Sequence, residues 1–281
     1  MHFGLSTHLF HGHPLGEQQL AAMAAHGFTS VELFATRSHF DYHAAAPMRD
    51  LRSWLANTGQ ALHSVHAPIV ESYREGTWGR SFSNAVVDAA ARQETMREAE
   101  AALRIADVVP FRYLVVHLGV PDALVPGSGH NSRDAAQRSV EQLHALVARH
   151  GVTLALEVIP NALSSVDALF NLIDDELDAP DIGVCLDYGH AFLMGDVADA
   201  IEAASGHLVT THIHDNDGRK DLHLVPFEGH IDWSTVAMTT QKVGYEGVWM
   251  MELADTGNSA AVLRRAEAAA RRLEALTHFQ D

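Results

Sequence analysis

Short runs of aliphatic and β-branched residues recur along the chain. Each is followed by a longer stretch in which apolar positions return every three or four residues. The first pattern predicts buried strands and the second amphipathic helices. Strands are expected near 3–8, 29–34, 61–66, 112–117, 152–158, 182–187, 208–214 and 247–253. Helices are expected near 16–26, 47–58, 83–108, 132–150, 164–176, 195–205, 232–242 and 257–276. Gly27, Gly59, Gly151, Gly206 and Gly244 follow helical stretches as C-terminal caps do. Ser132, Ser164 and Asp232 stand where N-caps belong. In the stretch 83–108, Glu94, Arg97, Glu98 and Arg104 are spaced to share an exposed face.

Eight strand–helix alternations with no linker rich in Pro, Gly or Ser predict one domain over residues 1–281. The expected fold class is α/β, a single closed (β/α)8 TIM barrel with its site at the C-terminal rim. An open doubly wound sheet would need a Gly-rich phosphate turn after its first strand, and His11-Gly12-His13-Pro14 is not one. Two long connections, 67–82 and 118–131, follow strands and so fall on the rim. Tyr73, Arg74, Trp78 and Arg80 in the first are candidate lid or wall residues.

Charge narrows the partners. Lys and Arg number 19 against 36 Asp and Glu, a formal charge of −17. Such a field repels phosphate backbones and anionic membranes, so neither nucleic acid nor a membrane is an expected partner. The lone cysteine, Cys185, lies in an apolar run and reads as a small buried hydrophobe rather than a ligand. Without a disulfide framework, an export signal or an ~18-residue apolar span, a cytoplasmic location is expected. The 20 histidines are the outlier in composition. His26, His39, His144 and His150 fall on polar faces or in loops and are expected to be solvated.

The other histidines carry the chemistry. Nine residues of metal-ligand type sit where strands run out: His66, His117, Glu157, Asp187, His190, His214, Asp221, His223 and Glu252. Glu157 and Glu252 each close an apolar strand, the fifth and the eighth, which stand almost opposite each other in an eight-strand ring. Their carboxylates would face each other across the mouth, with a metal and a small substrate between. Asp187 ends the sixth strand, and Gly189 lets the turn bring His190 back to the rim. In the seventh strand His212 and His214 point the same way. His214 is nearer the rim and is taken as the ligand, His212 as a hydrogen-bonded core residue. Asp221 and His223, two apart in an extended loop, can reach one ion. Glu32, in the second strand, is a candidate for substrate contact. Imidazole with carboxylate suits Zn or Mn best, with Mg or Co as alternatives.

The Leu-Asp-Tyr-Gly-His turn, the His-Asp-Asn-Asp stretch with Asp-x-His and Glu-Gly after it, and the closing strand-eight Glu resemble the xylose isomerase-like TIM-barrel superfamily. The resemblance covers essentially the whole chain. It implies a sugar or sugar phosphate isomerase or epimerase with a divalent metal. In the ketose epimerase branch the ligands would correspond to Glu157, Asp187, His214 and Glu252, and the two glutamates would exchange protons with a metal-held enediolate. In the endonuclease IV branch all nine residues would hold three zinc ions, implying a phosphodiesterase acting on abasic DNA. A barrel that only binds a metal or a ligand is the third alternative. One to three ions, a small carbohydrate as substrate and a possible homodimer are thus expected.

Overall fold

The computed structural model describes residues 1–127 and 129–277. The barrel strands alternate with helices as the pattern predicts. In chain order they are β1 (His2–Ser6), α1 (Glu17–Ala25), β2 (Ser30–Phe34), α2 (Ala45–Thr58) and β3 (Ala61–His66). A short hairpin, β4 (Tyr73–Arg74) and β5 (Thr77–Trp78), comes next. Then follow α3 (Ala89–Leu103), β6 (Tyr113–His117), α4 (Arg133–Ala148), β7 (Thr153–Glu157) and α5 (Val166–Phe170). The chain ends with β8 (Gly183–Asp187), α6 (Tyr188–Met194), α7 (Val197–Ala204), β9 (Leu208–Ile213), α8 (Trp233–Lys242), β10 (Val248–Met251) and α9 (Ser259–Thr277). Eight parallel strands close in the order β1-β10-β9-β8-β7-β6-β3-β2. The fold is a single closed (β/α)8 TIM barrel. No described helix is long and apolar enough to cross a membrane.

Leu33, Val65, Leu114, Leu156 and Leu186 point from the strands into the layer beneath the helices, where Leu20, Leu51, Val140 and Ile201 meet them. A smaller cluster of Val115, Ala155 and Cys185 fills the barrel interior. Cys185 is buried there, and burial pushes its thiol up, as a small core hydrophobe requires. Above this cluster the interior turns polar, and the site begins.

Several local expectations are corrected. Helix α3 starts at Ala89, not near 83, because the Asp88 side chain accepts from the Ala91 amide and caps it. Glu98 does not share the exposed face of Glu94, Arg97 and Arg104. It is 4% exposed and accepts from Arg37, Tyr42 Oη and His43, tying the β2–α2 connection to α3. Ser165, rather than Ser164, caps α5, while Ser164 Oγ donates to the Leu118 carbonyl. Helix α7 ends through Ser205, so Gly206 is not its cap. His39 is not solvated: it is 2% exposed, with Nδ1 bonded to the His13 carbonyl. His26, His144 and His150 instead pair with Glu267, Asp181 and Asp107.

Candidate metal centre

Strand register brings the ligand-type side chains to one level. His117 pairs with Glu157 across β6 and β7, and Asp187 pairs with His212 across β8 and β9. Glu252 follows the last residue of β10. In a parallel ring, side chains at one level converge on the barrel axis. Four groups result among the described residues, each with its ligand atoms within 4.8 Å of one another, and one of them, Glu157 with Cys185 and His212, overlaps the second below. His66, His117 and Glu157 form the first. Glu157, Asp187, His212 and Glu252 form the second. His190, His214, Asp221 and His223 form the third, nearer the loops.

This grouping sets His212 with Glu157, Asp187 and Glu252, and His214 with His190, Asp221 and His223, though His214 Nε2 also lies 3.0 Å from Asp187 Oδ1. His214, not His212, was expected beside the carboxylates of Glu157 and Glu252. Strand β9 ends at Ile213, and register sets His212 opposite Asp187. His212 Nδ1 lies 3.2 Å from Glu157 Oε1. His214 sits beyond the strand end and joins the third group, its ring stacked on His223 at 4.0 Å. Glu157 and Glu252 come together with Asp187 and His212, one ligand atom of each within 4.8 Å of the others, a spacing that suits one ion.

Glu32, expected at the substrate, is 0% exposed and lies behind His212. It is not among the residues that line the cavity above the cluster. His190 lies not in an open turn but in the first turn of α6. Asp187 caps that helix, its Oδ1 accepting the His190 amide at 2.7 Å while Oδ2 faces His214 Nε2 at 3.2 Å. The capping Oδ1 also lies 3.0 Å from His214 Nε2, and Oδ2 lies 3.5 Å from His190 Nδ1 and 3.9 Å from His212 Nδ1. Gly189 sits in this helical turn rather than a left-handed bend. A Cβ there would overlap the His214 ring, so its value is space.

The third group is built by the β9–α8 loop. Asp215 anchors that loop: its carboxylate accepts from the Phe227 and Ile231 amides at 3.0 and 3.1 Å and from Trp233 Nε1 at 2.8 Å. His223 takes a left-handed backbone at φ 45°, uncommon for a residue other than glycine though better tolerated by His than by most. In that conformation Nδ1 bonds to the Glu252 carbonyl at 3.0 Å and Nε2 lies 3.2 Å from Asp221 Oδ2. His190 Nε2 reaches the same oxygen at 3.1 Å.

Charge is balanced within the cluster. Burial disfavours a proton on His66, but Glu157 outweighs it and holds the imidazole up at about 9. Burial opposes His223 likewise, and Asp221 lifts it to about 9. Burial would raise Glu157, yet His117 and His212 hold it well below the usual carboxylate range. Asp221 is also held low against burial, by His223 and His190.

The cluster also leaves polar atoms without partners. His117 Nε2, Glu157 Oε2 and His214 Nδ1 are buried and accept or donate no hydrogen bond. Orphaned buried atoms cost roughly 1–3 kcal/mol each. A donor set of imidazole nitrogens and carboxylate oxygens with unused lone pairs fits a divalent cation.

A cavity of about 530 Å³ opens above the cluster. Its floor carries His66, His117, His190, Asp221, His223 and Glu252, and its upper wall Ile69, Val70, Phe82 and Leu124. Neither Arg nor Lys lines it among the described residues. His8 and His11, which the sequence reading missed, form a side wall with Phe34. Burial pushes the His8 imidazole well below its ordinary range, so it is neutral at pH 7. His8 closes the first expected strand, 3–8, so a strand-end signal was there; in the structure β1 ends at Ser6, Thr7–Phe10 forms a short 3-10 helix, and His11 follows it. Trp78 of the hairpin stacks on His11 at 4.8 Å, so Tyr73 and Trp78 wall the cavity as anticipated. Arg80 instead pairs with Glu94.

Residues 20–277 match the family described as Xylose isomerase-like TIM barrel. An uncharacterized protein of Methanocaldococcus jannaschii, MJ1311, is 24% identical over 259 residues, spanning 90% of this chain and 83% of its own. Among solved structures, a D-tagatose 3-epimerase-like protein superposes with a TM-score of 0.79 at 21% identity, covering 99% of this chain and 100% of that one. An IolI protein with a bound zinc atom also reaches a TM-score of 0.79, at 15% identity over 100% of both chains. With its strand-end imidazoles and carboxylates, its closed barrel and the match over nearly its whole length, this chain belongs to the xylose isomerase-like TIM barrel family.

Proposed function

We propose that this protein is a metal-dependent isomerase or epimerase of a small sugar or sugar-derived ketone. One observation carries the reading. Two glutamates, Glu157 and Glu252, join Asp187 and His212 in one tight group under a small cavity lined by neither Arg nor Lys among the described residues. Glu157, Asp187, His212 and Glu252 are the proposed ligands, with zinc or manganese the best-suited ions. A divalent ion there supplies Lewis acidity toward neighbouring carbonyl and hydroxyl oxygens of a substrate. Glu252 lines the cavity and is placed to meet a carbon-bound proton. Glu157 is the second carboxylate of the proton exchange. His8, neutral and on the wall, is placed to bond a substrate hydroxyl. Both similar solved structures bear on the reading through their descriptions, one as epimerase-like and one with zinc.

The test is solvent exchange. Metal-loaded protein incubated in D₂O with a panel of ketoses should place deuterium in the substrate, and Glu252→Gln should abolish it. Undiminished exchange in the variant would sink the assignment.

A second reading, phosphoester hydrolysis with several metals, is favoured by the presence of several ligand-type groups rather than one. The charge of −17 and the absence of Arg and Lys from the cavity lining argue against a nucleic-acid substrate. Three zinc ions per chain together with chelator-sensitive cleavage of an abasic-site duplex would establish it.

A further inference from the structure

We propose that Glu32 is a positioning residue that holds His212 in the tautomer whose Nδ1 lone pair faces the carboxylate group. The inference rests on His212 as a ligand and not on the reaction catalysed.

The two nitrogens of His212 meet different surroundings. Nδ1 is ringed by three carboxylates: Glu157 Oε1 at 3.2 Å, Glu252 Oε2 at 3.8 Å and Asp187 Oδ2 at 3.9 Å. Nε2 faces Glu32 Oε2 at 2.9 Å. An imidazole that donates Nε2–H to a carboxylate presents its lone pair at Nδ1, and metal-bound histidines are commonly oriented by such an acceptor. Glu32 is itself held. Ser64 Oγ donates to the same Oε2 at 2.8 Å, and the β2–β3 register shifts between Val31 and Glu32 so that Glu32 stands opposite Ser64. Irregularities of this kind re-aim side chains near active sites. The His66 ring stacks on His212 at 5.8 Å and 14°, which restrains it from the side.

The arrangement carries a cost that packing alone does not repay. Glu32 is fully buried in the barrel interior, and its Oε1 has no hydrogen-bond partner. A glutamine or an apolar residue would avoid a half-satisfied buried carboxylate. The carboxylate's distinct capacity is to accept strongly from Nε2–H and so to make Nδ1 a better electron donor.

The experiment uses ¹⁵N-histidine-labelled full-length chain loaded with zinc. In the wild type, His212 should show a metal-bound Nδ1 and a protonated Nε2. Glu32→Ala should weaken zinc binding ~10–100-fold, the range for loss of such an acceptor, and Glu32→Gln, which keeps an acceptor oxygen, should recover part of it. Three results would overturn the proposal: a wild type that binds no zinc, a wild type with zinc on Nε2, or a Glu32→Ala chain with unchanged zinc affinity and His212 signals. If Glu32→Ala fails to fold, the wild-type spectrum and Glu32→Gln decide. Neither readout uses turnover, so a chain without isomerase activity leaves this test intact.

Discussion

His117 Nε2 and Glu157 Oε2 lie 3.0 Å apart, both buried, and no hydrogen bond joins them. Close approach without a bond leaves both atoms short of a partner, and a cation between them supplies one. Zinc added to chelator-treated protein should therefore raise Tm, by on the order of 10 °C when free zinc is about a thousand times Kd. Chelator should reverse the shift, and Glu157→Gln should remove most of it. Calorimetry with and without zinc checks this; identical melting curves would count against a metal at this group.

Gly189 and His214 are matched by space. Gly189→Ala should displace the His214 ring, because a Cβ there meets it directly and the neighbouring backbone is helical. The expected outcome is loss of metal from the third group with the barrel retained. Metal content by mass spectrometry should fall relative to wild type while far-ultraviolet dichroism stays the same. Unchanged metal content would show that the third group holds none.

Asp215 is a prediction about stability rather than chemistry. Asp215→Ala leaves the Phe227 and Ile231 amides and the Trp233 indole N–H without their acceptor in a buried site. The cost should be about 3–5 kcal/mol by urea unfolding, in the range for breaking buried charged networks. Asp232→Ala, which removes only an exposed cap of α8, should cost about 1 kcal/mol.

Trp78 is 44% exposed and stacks on His11 at the cavity wall. Its truncation should cost little stability. Trp78→Ala should raise KM about tenfold for the substrate found by deuterium exchange, with kcat nearly unchanged, as loss of uniform binding does. A fall in kcat with constant KM would place Trp78 in the chemical step instead.

Two buried histidines should make the fold acid-sensitive before its carboxylates titrate. Burial lowers both His39 and His63 to about 4, from an ordinary 6.5. Below pH 6.5 the unfolded chain takes up protons that the folded chain refuses, so stability present above pH 6.5 declines as pH falls toward 4. The loss is at most about 3 kcal/mol for each group. Urea midpoints between pH 7.5 and 4.5 should show this slope, and His39→Gln should reduce it. A flat profile would mean that these rings accept protons in place.

The strands were legible because burial on both faces writes them as continuous apolar runs. All eight expected strands are present, with ends displaced by a residue or two. The helices were legible through their period, less so at their ends. The Asp88 and Ser165 caps decide where α3 and α5 begin, and neighbouring Ser or Asp residues compete for that place. Helix α6 went unread because its seven residues follow a strand with no loop between them.

The sequence by itself determined that one rim would gather imidazoles and carboxylates, since each is tied to a strand end and parallel strands all end on one side. It did not determine how they divide. Alternation puts His212 and His214 on the same side of β9 and cannot choose between them. Register decides: β8 and β9 pair Asp187 with His212, and β9 ends before His214. Glu32 shows the same limit, because period alone places it in a strand, while its burial behind His212 depends on how β2 meets β3. Local sequence carries which groups are present, and the closing of the barrel sets which atoms meet, because those distances join residues far apart in the chain, 180 positions for Glu32 and His212 and 245 for His8 and Leu253.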